Sequence, residues 1–436
     1  MILNATAQRG PKAHVASYYA ATANSAPDRP ALVGEVRADV CIVGAGFTGV
    51  SAALSLAENG IGAVVLESHR VGWGASGRNG GQIINGYSRD FDVIRDRYGA
   101  AQARALGDMA LEGGDIIRER INTYGIACDL VNGGFFAAFN NRQMLELEHQ
   151  KKLWEMYGYR ELEMIPSNKL ETCVGSDIYV GGMIDYRSGH IHPLNLVLGE
   201  AAAAESLGAK IHEDSAVTGV EDRGAETVIH TVQGSVRAKT TLLCGNAYLG
   251  DAAPELTNKI MPVSSQIVAT EPLDSAMLSR LLPPNYCVED CNYILDYYRR
   301  TPDNRLLFGG GVVYGGTDPP SIERKIRPHL ARTFPALRGV RLDFAWSGNF
   351  ALTLTRVPHV GRLSKNVLFS HGDSGHGVTT THLLGRLLAE AVRGRMDRFD
   401  AFATLPYHSF PGGRRFRVPL TVLGSWWYDL RDKLGA

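Results

Sequence analysis

Residues 38–68 read ADVCIVGAGFTGVSAALSLAENGIGAVVLES, and this stretch decides the fold. The apolar run at 40–43 is typical of a buried strand, and the glycines at 44–49 fit the pattern G-x-G-x-x-G. A helix is predicted over 50–59 and a second strand over 63–66. Two strands joined by a short helix form a β-α-β unit, so the stretch predicts a parallel sheet.

The glycine pattern indicates a dinucleotide site. Gly44 permits a tight turn, Gly46 lets a pyrophosphate approach, and Gly49 lets the helix pack closely on the strand. Glu67 follows the second strand, where a carboxylate accepts hydrogen bonds from a ribose and disfavours a 2′-phosphate, which leaves NAD or FAD. The alternative is a tight turn that binds nothing. The residues predicted to contact this half of the ligand are Gly44, Gly46, Phe47, Thr48, Gly49, Glu67 and Ser68.

The loop GWGASGRNGGQ at 72–82 favours FAD over NAD. An NAD domain would continue with ordinary α/β crossovers, whereas this loop can wrap a longer cofactor. Its amides are predicted to contact the second phosphate and the ribityl chain, with Arg78 near the charge, while Gly80 and Gly81 let the backbone lie against a flat ring. A mobile loop is the alternative. The predicted contacts are Ala75, Ser76, Gly77, Arg78, Asn79, Gly80, Gly81 and Gln82.

The late motif GDSGHG at 372–377 follows a predicted buried strand and opens a predicted helix. Its N–H groups would stabilise the negative charge that a reduced flavin develops. GDSG also occurs in chymotrypsin-like serine proteases, but the α/β pattern and His376, where G-x-S-x-G needs glycine, argue against a hydrolase. The further predicted flavin contacts are Val217, Gly245, Asn246, Gly375, His376, Gly377, Val378 and Thr379.

Composition limits the class of protein. The chain has 436 residues, beyond the size at which one core keeps growing, so two domains are expected. Lys+Arg and Asp+Glu are both 45, which argues against a nucleic-acid partner. The six cysteines form no zinc pair or CxxC motif, and no signal peptide or membrane segment is evident, which predicts a cytoplasmic protein without a metal site. The oligomeric state stays open.

The fold class predicted is α/β, or α+β overall. The α/β pattern occurs early, in the middle and late, whereas residues 261–350 are rich in β-branched and aromatic residues with frequent turns, which predicts a mainly antiparallel sheet. Helices are predicted over 109–124, 143–157 and 195–207, and a strand pair over 216–220 and 227–232. Near the end, arginines at 414–417 precede WWY at 426–428, which predicts a packed terminal segment, with a membrane or partner contact as the alternative.

Several strings resemble a known family. GAGFTG with Glu67, ASGRNGGQ and GDSGHG resemble the FAD-dependent amine oxidases related to D-amino-acid, glycine and sarcosine oxidases. SYYAA, SGHIHPLNL, GNAYLGD, NYCVEDCNYILDYYR, DNRLLFGGGVVYG and FPGGR are similar, within that superfamily, to the γ-glutamylputrescine oxidoreductase family over essentially the whole chain. The resemblance implies a Rossmann-like FAD-binding domain in discontinuous pieces and a substrate domain on a mainly antiparallel sheet with helices. The limits predicted are an N-terminal arm at 1–35, FAD-binding segments at 36–95, 180–250 and 346–436, and substrate segments at 96–179 and 251–345.

The resemblance also implies a reaction. The free primary amine of a γ-glutamylated polyamine would be oxidised to an imine, which hydrolyses to an aldehyde and ammonia, and oxygen would receive the electrons as hydrogen peroxide. Relatives carry an aromatic residue at Asp373, and sarcosine oxidases place an oxygen-activating lysine where Val312 and Val313 stand, so a dehydrogenase is the alternative. The segment NFALTLTRVPHVG lacks the cysteine that relatives use for covalent attachment, so non-covalent FAD is expected.

We expect hydride transfer from the carbon next to a neutral amine, so that positioning dominates catalysis. His376 is the first candidate at the flavin, and Tyr298 and Arg356 are candidates for holding substrate. Arg299 could equally supply the cation for a carboxylate, and His190 and His192 are expected to pack or contact substrate rather than bind metal. The alternatives are an oxidase or dehydrogenase of a small secondary amine or amino acid, such as sarcosine or pipecolate, and a non-catalytic FAD-binding subunit.

Overall fold

The computed structural model describes residues 13–413 and 416–424. Its strands are β1 Gly34–Val43, β2 Ala63–Leu66, β3 Gln82–Ile83, β4 Val131–Ala138, β5 Leu162–Pro166, β6 Gly181–His190, β7 Lys210–His212, β8 Val217–Asp222, β9 Thr227–Thr231, β10 Gly234–Leu243, β11 Ile260–Thr270, β12 Cys287–Asp290, β13 Asp296–Arg300, β14 Leu306–Tyr314, β15 Leu342–Thr353, β16 His359–Arg362 and β17 Val367–His371. Its helices are α1 Tyr18–Ala21, α2 Phe47–Ala57, α3 Phe91–Tyr98, α4 Ala100–Met109, α5 Glu112–Tyr124, α6 Asn141–Met156, α7 Pro193–Ser206, α8 Ser275–Leu281, α9 Ile322–Thr333, α10 Gly377–Val392 and α11 Asp397–Ala403. Residues 1–12 of the predicted N-terminal arm lie outside this range. So do residues 414–415 and 425–436, which include part of the terminal segment with the arginines and tryptophans.

The first sheet contains the predicted parallel unit. Its main path runs β16-β17-β10-β1-β2-β7, and β17, β10, β1, β2 and β7 are parallel. β1 lies between β10 and β2, with Val40 opposite Thr240 on one side and Ala63 on the other. β8 and β9 extend from β10 as an antiparallel pair, as the sequence predicts. The α/β class is therefore confirmed.

The second sheet is mainly antiparallel, as its composition predicts. The path is β15-β11-β14-β13-β12-β4-β6-β3, with β5 on β6, and β12 with β4 is its parallel pair. One face packs on α9 through a core that includes Ile326, Leu330 and Phe308. That face is therefore closed to ligands, and the other face borders the first sheet.

Two segments lie elsewhere than the predicted domain limits place them. β6 belongs to the second sheet, because it pairs antiparallel with both β4 and β5 and so continues that sheet. α4 and α5 bury Leu106, Met109 and Ile117 in the core that contains α2, because their apolar faces cover the helix layer over the first sheet. The domain limits otherwise stay a prediction. The helix predicted over 109–124 is observed as α5, which begins at Glu112. Met109 is instead the last residue of the preceding helix, α4.

A buried ionic network joins the helices that cover the first sheet. Arg120 of α5 donates from Nη1 to Glu200 of α7 at 3.0 Å, and from Nη2 to the Ser55 hydroxyl of α2 at 2.8 Å. Glu200 Oε2 lies 3.1 Å from His382 Nε2 of α10. Arg120 and Glu200 are 1% and 0% exposed, so water screens neither charge. The network therefore fixes α2, whose N-terminus carries the glycine turn, to three other helices.

The N-terminal segment is tied to the second sheet. The Tyr18 hydroxyl donates to Asp303 at 2.9 Å, and Tyr19 is fully buried, with its hydroxyl accepting from Arg299 at 3.0 Å. Residues 18–21 of the predicted N-terminal arm are thus packed into the fold, with Tyr18 and Tyr19 buried. No helix within residues 13–413 and 416–424 has the length and apolar character needed to cross a membrane.

Candidate active site

A large cavity of about 870 Å³ opens between the two sheets. The first sheet contributes the glycine turn and Glu67, the loop at 72–82 forms a wall, and the second sheet contributes residues of β11, β12, β13 and β14. This volume lies in the upper part of the range for ligand sites. The predicted cofactor residues that line it are Gly44, Gly46, Phe47, Thr48, Glu67, Ser68, Ala75, Ser76, Arg78, Asn79, Gly80, Gln82, Val217, Gly245, Asn246, Gly375, His376, Gly377 and Val378.

The glycine turn has no room for side chains. A Cβ on Gly49 would lie 1.9 Å from the Gly44 carbonyl oxygen, so Gly49 packs the helix on the turn and does not itself line the cavity. Gly44 has φ of +101°, which favours glycine. A Cβ on Gly46 would come within 2.9 Å of the Ser76 hydroxyl, so this position is a cradle that a side chain would fill. Gly46 is the N-cap of α2, so the N-terminus of this helix lies at the cavity.

Side chains hold this turn in place. The Ala45 N–H donates to Glu67 Oε2, and the Phe47 N–H donates to Ser76 Oγ, both at 2.8 Å. Glu67 also accepts from the His69 N–H at 2.9 Å. Burial raises the pKa of Glu67 despite these donors. The acid therefore positions the turn as well as facing the cavity.

Hydrogen bonds hold the glycine-rich loop at several points. Asn79 donates to the carbonyl of Ser76 at 2.9 Å and accepts from the Gly81 N–H at 2.8 Å. Arg299 donates to the Gly80 carbonyl at 2.8 Å, so the second sheet fastens the loop. Gly80 lines the cavity, as predicted.

Three further predicted contacts do not reach the cavity. A Cβ on Gly77 would lie 2.4 Å from the Gly72 carbonyl oxygen, and one on Gly81 would lie 2.2 Å from the Ile191 carbonyl oxygen. These two positions need glycine for close backbone packing, and Gly81 also has φ of +73°. Thr379 faces away, because its hydroxyl donates to the Ile84 carbonyl at 2.6 Å.

Two buried polar atoms in the wall have no partner in the described structure. They are Arg78 Nη2 and His376 Nδ1. Burial, with the nearby charge of Arg356, lowers the pKa of His376 to about 4, so its imidazole is neutral near pH 7. A buried unsatisfied donor or acceptor is costly, and a phosphate, ribityl hydroxyl or flavin edge can satisfy such groups. The residues present thus fit FAD.

The start of α10 carries a carboxyl group as well as the histidine. Burial raises the pKa of Asp373 to about 6, and the Asn246 side chain donates to its Oδ1 at 3.4 Å. Asn246 also accepts from the Gly372 N–H at 2.9 Å and thereby fixes the loop. Asp373, His376 and the N-terminus of α10 consequently face one region of the cavity.

Of the predicted substrate residues, Arg356 lies in the cavity wall and Tyr298 does not. Arg356 has φ of +59°, its Nη2 donates to the Tyr293 hydroxyl, and its guanidinium lies 4.8 Å from the centroid of that ring. Tyr298 is 1% exposed, bonds Tyr179 at 3.2 Å and stacks on Phe308 in the core beneath α9. The prediction for Tyr298 is therefore wrong, because alternation along β13 turns Tyr297 toward the cavity instead.

Arg299 and the two histidines are structural. Arg299 is 3% exposed and its donors go to the carbonyls of Gly80 and Ile191 and to the Tyr19 hydroxyl, so it is not free for a carboxylate. His190 Nε2 lies 3.0 Å from the Asn285 carbonyl oxygen, and His192 caps α7 by accepting from the Asn195 N–H at 3.1 Å.

The sequence analysis missed much of the wall that the second sheet supplies. Glu289 is the notable case: it lines the cavity, and burial raises its pKa to about 7. The available signal was the pair of acidic residues, Glu289 and Asp290, in the short strand CVED. Tyr297, which belongs to the cluster at 297–300 that the sequence offered as a possible substrate face, lines the cavity; other lining residues that the sequence did not identify include Tyr293, Ile294, Leu295, Ser265 and Phe350.

The family model for FAD dependent oxidoreductases matches residues 39–391. The chain belongs to this family. Gamma-glutamylputrescine oxidoreductase of Escherichia coli (strain K12) is 53% identical over 424 residues, which cover 97% of this chain and 99% of that protein. Probable oxidoreductase OrdL of Haemophilus influenzae is 41% identical over 96% of this chain and 98% of its own length. This oxidoreductase also superposes on glycine oxidase from Geobacillus kaustophilus with a TM-score of 0.71 at 20% identity, covering 86% of this chain and 100% of that one, which shows a shared fold.

Membership of the family makes this chain an FAD-dependent oxidoreductase. The cofactor prediction is confirmed, and so is the assignment to enzymes. The individual contact residues stay predictions, although most of them line one cavity. The absence of a covalent bond to FAD and the cytoplasmic location likewise stay predictions.

Proposed function

We propose that this oxidoreductase oxidises the terminal primary amine of γ-glutamylputrescine or a similar γ-glutamylated polyamine. The observation that carries the proposal is 53% identity over 97% of the chain to a gamma-glutamylputrescine oxidoreductase. The cavity wall contains a basic residue, Arg356, and an acidic residue, Glu289. This pair suits a substrate that carries both a carboxylate and an amine. The products are an aldehyde and ammonia after hydrolysis of the imine.

The chain's own residues would mainly bind and orient. Bound FAD would supply the acceptor for the two electrons of the amine. The turn of Gly44 and Gly46, Glu67 and the loop at 72–82 would hold it, with Arg78 and His376 meeting its polar groups. Arg356 would bind the substrate carboxylate, since a guanidinium matches that group in two hydrogen bonds. The aromatic wall of Tyr293 and Tyr297 would exclude water around the aliphatic chain.

Anaerobic mixing with γ-glutamylputrescine tests the proposal. We expect the visible flavin band to bleach at a saturable rate, and we expect sarcosine and pipecolate to bleach it far more slowly. If γ-glutamylputrescine leaves the band unchanged and a small amino acid bleaches it, that amino acid is the substrate instead. A band that no amine changes would indicate a non-catalytic FAD-binding subunit.

Readmission of air separates oxidase from dehydrogenase. The strand β14 carries Val312 and Val313. Lys325 of α9 donates to the Val312 carbonyl at 2.8 Å and does not line the cavity. An oxidase would recover its colour within the turnover time and form hydrogen peroxide. We favour oxygen as acceptor, and recovery only with an artificial acceptor such as a quinone would make the protein a dehydrogenase.

Arg356→Met should weaken substrate binding by about 10- to 100-fold, because it removes a charge-assisted pair. The measurement is the Kd from the concentration dependence of flavin bleaching. Arg356→Lys should restore part of the affinity. The matched ligand 4-aminobutyrylputrescine lacks the carboxylate, so Arg356→Met should leave its Kd within about twofold. Equal losses for both ligands would remove Arg356 from carboxylate binding.

A further inference from the structure

Glu289 is a carboxylate without a partner inside the cavity. It lies on β12, opposite Tyr297 of β13 and Phe136 of β4. The Glu289 side chain makes no hydrogen bond or ion pair with residues 13–413 and 416–424, and burial is the cause that raises its pKa to about 7. Burying a carboxylate without a counter-charge destabilises the folded chain, and a cationic ligand would relieve that cost.

Glu289 lies near the part of the cavity where we predict the flavin ring. Its cross-strand neighbour Tyr297 lies against the glycine-rich loop, since a Cβ on Gly80 would come within 2.6 Å of the Tyr297 ring. Gly80 belongs to the loop that we predict to border the flavin ring. Arg356 instead lies over the Tyr293 ring, and its charge contributes to the lowered pKa of His376 at the start of α10. The anionic and cationic groups therefore serve different parts of a ligand.

We propose that Glu289 binds the terminal ammonium group of the substrate and accepts its proton before oxidation. This inference rests on the proposed function and names the group that selects the amine. An organic cation fits better than a metal ion, because the described residues contain no cluster of three or more His, Cys, Asp or Glu side chains that could hold one.

The steps balance as follows. The N–H bond of the ammonium breaks and the proton goes to the Glu289 carboxylate, which becomes a neutral carboxyl and leaves a neutral amine. The C–H bond next to nitrogen then breaks, the hydrogen leaves with its electron pair as a hydride, and the nitrogen lone pair forms the C=N bond. The substrate thereby loses two electrons, which bound FAD would accept with the hydride, and water later hydrolyses the iminium ion to aldehyde and ammonium.

Glu289→Gln tests this role because glutamine keeps the shape and removes the charge. We expect the Kd of γ-glutamylputrescine, from anaerobic bleaching, to rise about 10- to 100-fold. The ligand γ-glutamylbutylamide lacks the terminal amine, and its Kd from flavin spectral titration should stay within about twofold. Glu148→Gln, on an exposed face of α6, is the matched control and should change neither value.

Two further readouts separate this role from a structural one. Because the pKa of Glu289 is raised in the folded state, its ionised form destabilises the protein above the ordinary glutamate pKa, so Glu289→Gln without substrate should melt at or above the wild-type temperature at pH 8. The bleaching rate constant divided by Kd should fall below about pH 7 in the wild type and lose that limb in Glu289→Gln. Three titratable groups lie beside Glu289: Tyr297 on β13, and Cys287 and Cys291, which flank Glu289 in the sequence. The pKa of each is raised, so all three stay neutral across this pH range.

The outcomes are distinct. If wild-type flavin bleaches with γ-glutamylputrescine but Glu289→Gln binds it within twofold, this proposal is wrong and the proposed function stands. If γ-glutamylbutylamide weakens as much as the amine does, Glu289 faces the α-amino group or shapes the cavity, and the proposal is again wrong. If the wild-type flavin does not bleach, the proposed function itself fails.

Discussion

Gly49→Ala is expected to purify without flavin, with an affinity for FAD at least about 100-fold below that of the wild type. The new Cβ would lie 1.9 Å from the carbonyl oxygen of Gly44, and both are main-chain positions that no rotamer change can relieve. The turn must shift, so the N–H groups of α2 lose their alignment. Overpacking of this kind costs about 1–3 kcal/mol or more in the free energy of unfolding. The measurement is titration of the apoprotein with FAD by flavin fluorescence quenching.

A graded series distinguishes lost binding from lost folding. Gly339→Ala adds a methyl group where nothing lies within 4 Å, so it should keep a full equivalent of FAD. Gly46→Ala should be intermediate, because its Cβ meets the Ser76 hydroxyl at 2.9 Å and that side chain can rotate. Circular dichroism in the near ultraviolet checks the fold of each variant. Full FAD affinity in Gly49→Ala would contradict the geometry of the turn.

Glu200→Gln should lower the free energy of unfolding by about 3–5 kcal/mol, since it leaves the buried Arg120 guanidinium without an anion. Arg120 and Glu200 are 1% and 0% exposed and 3.0 Å apart. Urea unfolding at a fixed excess of FAD measures the change. The control Glu119→Gln removes a surface pair with Arg386, in which Glu119 is 63% exposed, and should cost less than about 1 kcal/mol. Similar losses in both variants would show that the network contributes little.

The stabilisation that this network contributes depends on pH. Burial acts to raise the pKa of Glu200, but His382 and Arg120 outweigh it and hold the pKa below its ordinary value. A lowered pKa in the folded state means that the stabilisation is present above the ordinary glutamate pKa and is lost as pH falls through the folded value. The stability gap between wild type and Glu200→Gln should therefore be constant from pH 8 to 6 and shrink below about pH 4.

The fold and the cofactor half of the site could be predicted because their signals are local. Gly44, Gly46 and Gly49 lie within one turn, and a single strand, helix and acid complete the pattern. The structure adds why Gly49 must be glycine, but the residue types alone indicate the ligand. The loop at 72–82 was informative for the same reason, although Gly77 and Gly81 serve packing rather than contact.

The substrate half could not be predicted because it depends on which face of each strand is covered. β13 reads DYYRR, with polar or aromatic residues at every position, so alternation does not choose between Tyr297 and Tyr298. The choice is made by α9, which lies twenty residues further along and packs on Tyr298 through its core. Glu289 was missed for a related reason, because its strand lies between β13 and β4, and β4 comes from a distant part of the sequence.

The order of strands in the first sheet constrains how the chain can assemble during synthesis. β1 pairs on one side with β2, which follows it closely in the sequence. Its partner on the other side, β10, begins only at Gly234, and the next strand, β17, begins at Val367. A nascent chain that stops between these points presents an apolar parallel edge to solvent. Early fragments of this protein should thus need a holding chaperone at the ribosome, and the sheet should be completed only after β17, Val367–His371, has left the ribosome.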